Sequence, residues 1–212
     1  MAAYCRNKGV TVCTKIVDVT DRQTMSEWIK AIDAEDPLDV IIANAGIAGD
    51  SGVQSYNLNE RLTREIFDVN MVGVLNTIFP VIENMRQRKK GQLALVSSIA
   101  GFRGLPSAPA YSASKAMVKA YGEALHGVLK KDSVGVSVIC PGFVRSRITE
   151  KNDFPMPLII SAPKAAQKIR KGLEKNQILI AFPWPFVLFM WCINILNPYL
   201  ANKILTRITP KR

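Results

Sequence analysis

Four short apolar runs, at residues 38–43, 93–97, 134–139 and 178–182, are too brief to be helices and carry almost no polar positions. A strand that is apolar on consecutive residues is buried on both faces, which is the mark of a parallel sheet covered by helices. A fifth segment, 10–17, is β-branched and alternating, a strand by pattern. Between the strands lie helical patterns: one opened by Asp21 and running through Trp28 and Ile32, a long one over 58–88, one over 111–129 and a basic one over 163–175. A polar loop is expected around 49–52, and the basic cluster Arg86, Arg88, Lys89, Lys90 followed by Gly91 ends the long helix. Strands alternating with helices predict βαβ units, hence an α/β, doubly wound parallel sheet. In such sheets ligands bind beyond the carboxyl ends of the strands.

At 212 residues the chain is one generous domain, and 48% hydrophobic against 21% charged residues allow a sizeable core. The four cysteines (Cys5, Cys13, Cys140, Cys192) form no Cys-x-x-Cys pair, and His126 is the single histidine. A zinc finger is excluded by ligand count, no metal is expected, and the cysteines read as reduced cytoplasmic thiols. Cys140 and His126 are expected to be structural. The N-terminus shows no charged head before an apolar run, so no signal peptide is expected. Of the net charge of +11, most sits in residues 150–212, where ten Lys/Arg face three Asp/Glu. No nucleic-acid-binding signature accompanies that charge, and no nucleic-acid partner is expected.

Small and polar residues gather after each strand: Asp18 and Val19, then Asn44-Ala45-Gly46, then Ser97-Ser98, then Pro141-Gly142-Phe143-Val144-Arg145-Ser146. Such ends let a flat cofactor lie against backbone. Thirteen residues beyond Ser98 comes Tyr111-Ser112-Ala113-Ser114-Lys115. Residues four apart share a helix face, so Tyr111 and Lys115 are neighbours. An ammonium beside a phenol favours the phenolate and lowers its pKa, which makes the pair a tuned proton donor and acceptor. A serine hydroxyl opposite can hold a carbonyl oxygen as charge develops on it. Tyr-x-x-x-Lys alone is a weak signal, and Asn-Ala-Gly or Pro-Gly alone reads as a turn. The weight lies in the ordered set, each member at the end of a predicted strand.

That set resembles the short-chain dehydrogenase/reductase family in its single-domain form, over about residues 8–183. The resemblance implies a Rossmann-like catalytic domain over 1–183 and an apolar, basic extension over 184–212. It implies an NAD(P)-dependent oxidoreductase moving hydride between nicotinamide and a ketone or secondary alcohol. Tyr111 is then the general acid/base, and Lys115 lowers its pKa and holds the nicotinamide ribose. Ser98, rather than Ser97, orients the substrate oxygen, and Asn70, in Asp68-Val69-Asn70-Met71-Val72-Gly73, links Lys115 to a relay water. Asp18 and Val19 match the adenine contacts and Asn44, Ala45 and Gly46 the segment behind the cofactor. Pro141, Gly142, Val144 and Ser146 match the nicotinamide loop, with Ser146 where the family usually has threonine. A homodimer or homotetramer, built partly through the long helices, is implied as well.

The family opens with a strand, a glycine-rich turn, a helix and a second strand, and nothing before Val10 matches them. The chain therefore reads as N-terminally truncated, and NAD cannot be told from NADP. In the family's order the unmatched strands lie between the segment at Val10 and the strand at Leu38, leaving buried strand edges without partners. Two readings follow: a piece of a full enzyme, or a shortened, catalytically inactive homologue that acts as a membrane-associated binding protein. In the extension, residues 178–196 are uncharged, but Pro183, Pro185, Asn194 and Asn197 interrupt them. With Trp184, Trp191, Tyr199, Lys203, Arg207, Lys211 and Arg212, an in-plane helix on the inner face of the membrane is favoured over a lid, a subunit contact or a span. The basic face Lys164, Lys168, Arg170, Lys171 and Lys175 is expected to be solvated, with an acidic carrier or lipid headgroups as alternatives. A lipid-like or acyl ketone is the expected substrate.

Overall fold

The computed structural model describes residues 2–48, 59–150 and 154–208. Its centre is a parallel four-stranded sheet in the order β1 (Val40–Ala43), β2 (Gly91–Val96), β3 (Val134–Pro141), β4 (Leu179–Phe182). Nine α-helices are described: α1 (Ala2–Arg6), α2 (Arg22–Glu35), α3 (Glu60–Phe67), α4 (Gly73–Gln87), α5 (Pro109–Leu129), α6 (Arg147–Glu150), α7 (Ala162–Glu174), α8 (Trp184–Ile195) and α9 (Pro198–Ile208). The loop expected at 49–52 and the predicted helix start at Leu58 lie outside the described residues.

Consecutive residues of β2 show why the sheet is apolar throughout. Leu93 and Leu95 face a core shared with α2, α4 and α5 (Met25, Ile29, Val74, Ile78, Val118), while Ala94 faces a second core with Ile180, Ala165 and Ile169 of β4 and α7. Helices thus cover both faces, as the pattern predicts. Two expectations need correction. Residues 10–17 form no strand, and Val10 and Ile16 are exposed. A strand exists only with a partner, and no described strand lies along the outer edge of β1 to provide one. Nor is β1 buried on both faces: Ile41 and Ala43 are buried, but Val40 and Ile42 stay 44% and 49% exposed, on a face of β1 that no described core residue covers.

The long pattern over 58–88 is one helical rod with a defect. Asn59 caps α3 through its side chain, which accepts from the Leu62 N–H at 3.0 Å, and residues 68–72 form a π-helical turn before α4 resumes. A π turn inserts a residue, and such turns gather at functional sites. Lys89, at φ 50°, turns the chain after the rod, and Gly91 opens β2 at φ 150°, where a Cβ would meet the Met85 sulfur at 2.5 Å. His126 bonds the Val136 carbonyl oxygen through Nδ1 at 3.2 Å, consistent with a structural role.

The ends of α2 and α4 are joined by Asp33, whose carboxylate is buried. It accepts from the Leu38 N–H (2.9 Å), Asn84 Nδ2 (2.7 Å) and Arg88 Nη1 (3.1 Å). Burial opposes its ionisation, but the three donors outweigh burial and hold the carboxyl below its ordinary value. A carboxyl lowered on folding stabilises above its unfolded pKa and loses that contribution as pH falls through the folded one. Asp33→Asn should therefore cost about 2–4 kcal/mol in urea denaturation at neutral pH. The gap to wild type should close below about pH 4; an equal gap at both pH values would contradict this role.

Candidate active site

At the carboxyl ends of β1, β2 and β3 the fold assembles one buried polar cluster. Ser98 follows β2 and caps a 3-10 turn over Ile99–Phe102, its Oγ accepting from the Ala100 N–H at 3.1 Å. That turn lies tight on α5, because a Cβ at Gly101 would come within 2.7 Å of the Lys115 carbonyl. Close approach sets Ser98 beside Tyr111, in the first turn of α5, while the Ser98 Oγ donates to the Pro141 carbonyl oxygen at 3.4 Å. Ser97 points elsewhere: its Oγ donates to the Lys115 carbonyl oxygen at 2.6 Å, pinning β2 to α5. Of the two serines, the geometry gives only Ser98 a hydroxyl beside Tyr111.

Lys115 is buried, and its Nζ donates to the Val96 carbonyl oxygen at 2.9 Å. Gly46, after β1, sits where any side chain would intrude: a Cβ there would lie 3.2 Å from Asn70 Oδ1 and 3.3 Å from Lys115 Nζ. Asn70, in the π turn, is fully buried and committed through its side chain. Its Oδ1 accepts from the Ile47 N–H (2.8 Å), and its Nδ2 donates to the Ile47 carbonyl (2.8 Å) and to Ser114 Oγ (3.0 Å). Both Nδ2 hydrogens are thereby used, in a π turn that also rearranges the main-chain carbonyls beside them. Ser114, which sequence reasoning passed over, closes the circuit by donating to the Tyr111 carbonyl at 2.7 Å. Its signal was present in Tyr111-Ser112-Ala113-Ser114, since a serine three residues on can bond back along a helix.

The electrostatics correct one expectation. Burial pushes the Tyr111 phenol above its ordinary value; the neighbouring Ser98 hydroxyl opposes this, and Cys140 adds to it. Lys115 does not lower it here. Its Nζ stands over the Tyr111 ring, 5.8 Å from the centroid, and burial pushes its own pKa down to about 8. In a low-dielectric site both charges are disfavoured before either helps the other. Cys140 is buried, with its thiol pushed up to about 11 by burial, which makes it unreactive.

The remaining residues flank the cluster. Pro141 ends β3 opposite Phe182, and the Gly142 N–H donates to the Phe182 carbonyl at 2.7 Å. A Cβ at Gly142 would meet Pro183, Ile99 and Phe186, so this glycine allows α8 to close on the loop. Val144 bridges to Ile160, and Thr149 Oγ1 donates to the Val144 carbonyl while accepting from the Ser146 N–H. Asn44 and Ala45 are exposed beside Gly46. Asp18 and Val19 stand apart from the cluster. Asp18 folds onto the Thr20 N–H and hydroxyl, and Asn76 holds the Val19 carbonyl at 2.9 Å. Asp18 and Thr20 line an open cleft of about 870 Å³ with Arg61, Arg64, Asp68 and Val69. A buried ammonium with one carbonyl partner, beside Gly46, fits the ribose hydroxyls of the nicotinamide half of a dinucleotide.

Two outcomes follow from this geometry. Without cofactor, the folded chain releases the Lys115 proton near pH 8 and the unfolded chain near its ordinary 10.5, so stability should rise with pH across that window. Lys115→Met should flatten the rise in urea denaturation; an unchanged slope would contradict a buried ammonium. Gly101→Ala should lift the Ser98 turn from α5 and lower kcat by at least about tenfold with near-native circular dichroism; full turnover would show that this close approach does not position Ser98.

Comparison with known proteins agrees with the fold. The family profile described as short chain dehydrogenase matches residues 1–155. An uncharacterized oxidoreductase of Myxococcus xanthus is 41% identical over 177 residues, 83% of this chain and 69% of that protein. A 3-oxoacyl-(acyl-carrier-protein) reductase of Chlamydia muridarum is 30% identical over 143 residues, 67% of this chain and 57% of that protein. Among solved structures, a 3-ketoacyl-ACP reductase from Sinorhizobium meliloti superposes with a TM-score of 0.74 at 22% identity, covering 89% of this chain and 84% of that one. The profile covers most of the sequence, and the chain belongs to the short-chain dehydrogenase family of oxidoreductases.

Proposed function

We propose that this protein exchanges hydride between NAD(P) and an apolar, lipid-like or acyl ketone or its secondary alcohol, with Tyr111 as the proton-transferring group. The observation that carries this reading is the Tyr111 phenol beside the Ser98 hydroxyl, one helical turn from the buried Lys115 ammonium. The dinucleotide, when bound, supplies or accepts the hydride. Ser98 donates to the substrate oxygen and holds it against the phenol. Tyr111 gives its proton to that oxygen in reduction and takes it back in oxidation. An un-ionised phenol, which burial favours here, is the form that reduction needs. Lys115 binds the ribose hydroxyls and holds positive charge under the tyrosine ring. Asn70 fixes the segment at Ile47 behind the cofactor and offers its main-chain carbonyl to a relay water. Asn44, Ala45 and Gly46 back the cofactor, Pro141, Gly142 and Val144 form the loop beside the nicotinamide, Ser146 adds a hydroxyl there, and Asp18 and Val19 flank the adenine end.

The apolar substrate is supported by an aromatic group beside the nicotinamide loop. Phe143 stacks on Phe186 at 5.8 Å and meets Phe154 edge-on at 6.0 Å, and Phe189 follows at 6.4 Å. The Chlamydia muridarum relative, named as a reductase of an acyl carrier substrate, supports the same class. A homodimer or homotetramer, cytoplasmic and peripheral at the inner membrane face through residues 184–212, completes the proposal. Phe79 of α4 and Val128 of α5 are exposed apolar residues that favour such assembly. Tyr111→Phe should cut turnover of a medium-chain ketone by at least about 10²-fold while binding of NAD(P)H, read by fluorescence, is kept. Turnover unchanged in that variant would overturn the assignment.

A further inference from the structure

Helix α8 is apolar on every side: its twelve residues carry no charge. One side is accounted for. Met190 and Ile193 are buried, and Phe186 packs on Phe143 and against Gly142. The opposite side is not. Trp184, Leu188, Trp191 and Ile195 recur at helical spacing on one stripe and keep between 50% and 74% of their surface exposed. Among the described residues nothing covers that stripe. At about 1.5 Å per residue α8 is roughly 18 Å long, well short of a bilayer's apolar thickness of about 30 Å. It can lie in a membrane surface and cannot cross one.

The charge beside the stripe selects its occupant. Glu174 is the last acidic residue of the sequence, and every ionisable side chain charged at neutral pH after it is cationic. On α9, Lys203 and Arg207 are exposed one turn apart, with Tyr199 one turn before them. In a symmetric pair of these chains, cation would approach cation on molecules that each carry +11. An anionic lipid surface attracts the same groups, and tryptophan and tyrosine settle at its headgroup level.

The inner side of this helix pair reaches the catalytic loops. Arg103, just beyond the Ser98 turn, donates to the Asn194 carbonyl at 3.2 Å, and Leu105 packs with Ile193, Ala201 and Leu205 of α8 and α9. Pro183 and Phe186 stand against Gly142 of the nicotinamide loop. We propose, building on the apolar-substrate reading above, that the stripe Trp184/Leu188/Trp191/Ile195 seats the enzyme on an anionic bilayer. The reverse side of the same helix, through Phe186, Phe189 and Phe143, is then the wall along which a ketone dissolved in that bilayer reaches Ser98 and Tyr111. The docking element and the substrate wall are two sides of one helix.

The test uses the full chain, vesicles of phosphatidylcholine with or without phosphatidylglycerol, a long-chain ketone held in those vesicles and a short water-soluble ketone. Wild type should sediment with the phosphatidylglycerol vesicles and be released by salt. Lys203→Glu with Arg207→Glu should weaken that binding by at least about tenfold. Leu188→Glu with Trp191→Glu should stay in the supernatant, turn over the short ketone as wild type does, and lose at least about tenfold on the embedded one. Phe186→Ala should sediment normally yet lose kcat/KM selectively for the long ketone. Docking is overturned if wild type ignores both vesicles, or if the stripe variant only shifts the oligomeric state by light scattering, which would assign the stripe to a second copy. The route is overturned if the stripe variant is released yet consumes the embedded ketone at the wild-type rate. Sedimentation needs no catalysis, so loss of all ketone turnover in wild type would strike the functional reading and leave docking to be judged alone.

Discussion

A single buried ammonium constrains everything around it. Lys115 Nζ has one described hydrogen-bond acceptor, the Val96 carbonyl at the end of β2, and it stands at the edge of Gly46 and beneath the Tyr111 ring. Burying a cation this way requires β2, the segment after β1 and α5 to meet at one point without side chains between them. Gly46 and Gly101 permit that approach, Ser97 pins it, and the π turn at 68–72 brings Asn70 to close it. The chemistry of the site is a consequence of that packing. The same desolvation that pushes Lys115 down to about 8 pushes Tyr111 up, which favours the un-ionised phenol that the proposed proton transfer requires.

How much of this was legible in the residues depended on range. The apolar runs at 93–97, 134–139 and 178–182 became β2, β3 and β4, and Asp21 capped α2, because period and capping are local. The placement of Ser98 opposite Tyr111 was legible from strand ends and helix spacing. What failed depended on partners distant in sequence. Residues 10–17 have strand chemistry but no described strand to pair with, and β1 keeps one face open because no described core residue packs on it. The direction of the Tyr111 shift was misread because helix spacing predicts proximity to Lys115 but says nothing of burial. Ser114, the commitment of the Asn70 side chain and the stacking of Phe186 on Phe143 are contacts that only the fold creates.

The C-terminal helices extend the same logic outward. A helix apolar on all sides is unusual at a protein surface, and α8 uses one side to complete the walls of the site. Gly142 admits Pro183 and Phe186, so the nicotinamide loop and the aromatic wall are held by the element that also carries the exposed stripe. In the proposed reading, substrate class and membrane docking depend on one segment, in a family whose catalytic residues alone say little about either.

The central claim is that Tyr111, Ser98 and Lys115 make this chain a hydride-transferring carbonyl oxidoreductase. The most direct measurement follows deuterium from nicotinamide labelled at C4 into a medium-chain ketone, read by mass spectrometry of the alcohol formed. The account predicts one deuterium on the carbinol carbon, transferred from only one of the two C4 faces. Alcohol formed without label, or label from both faces alike, would contradict it.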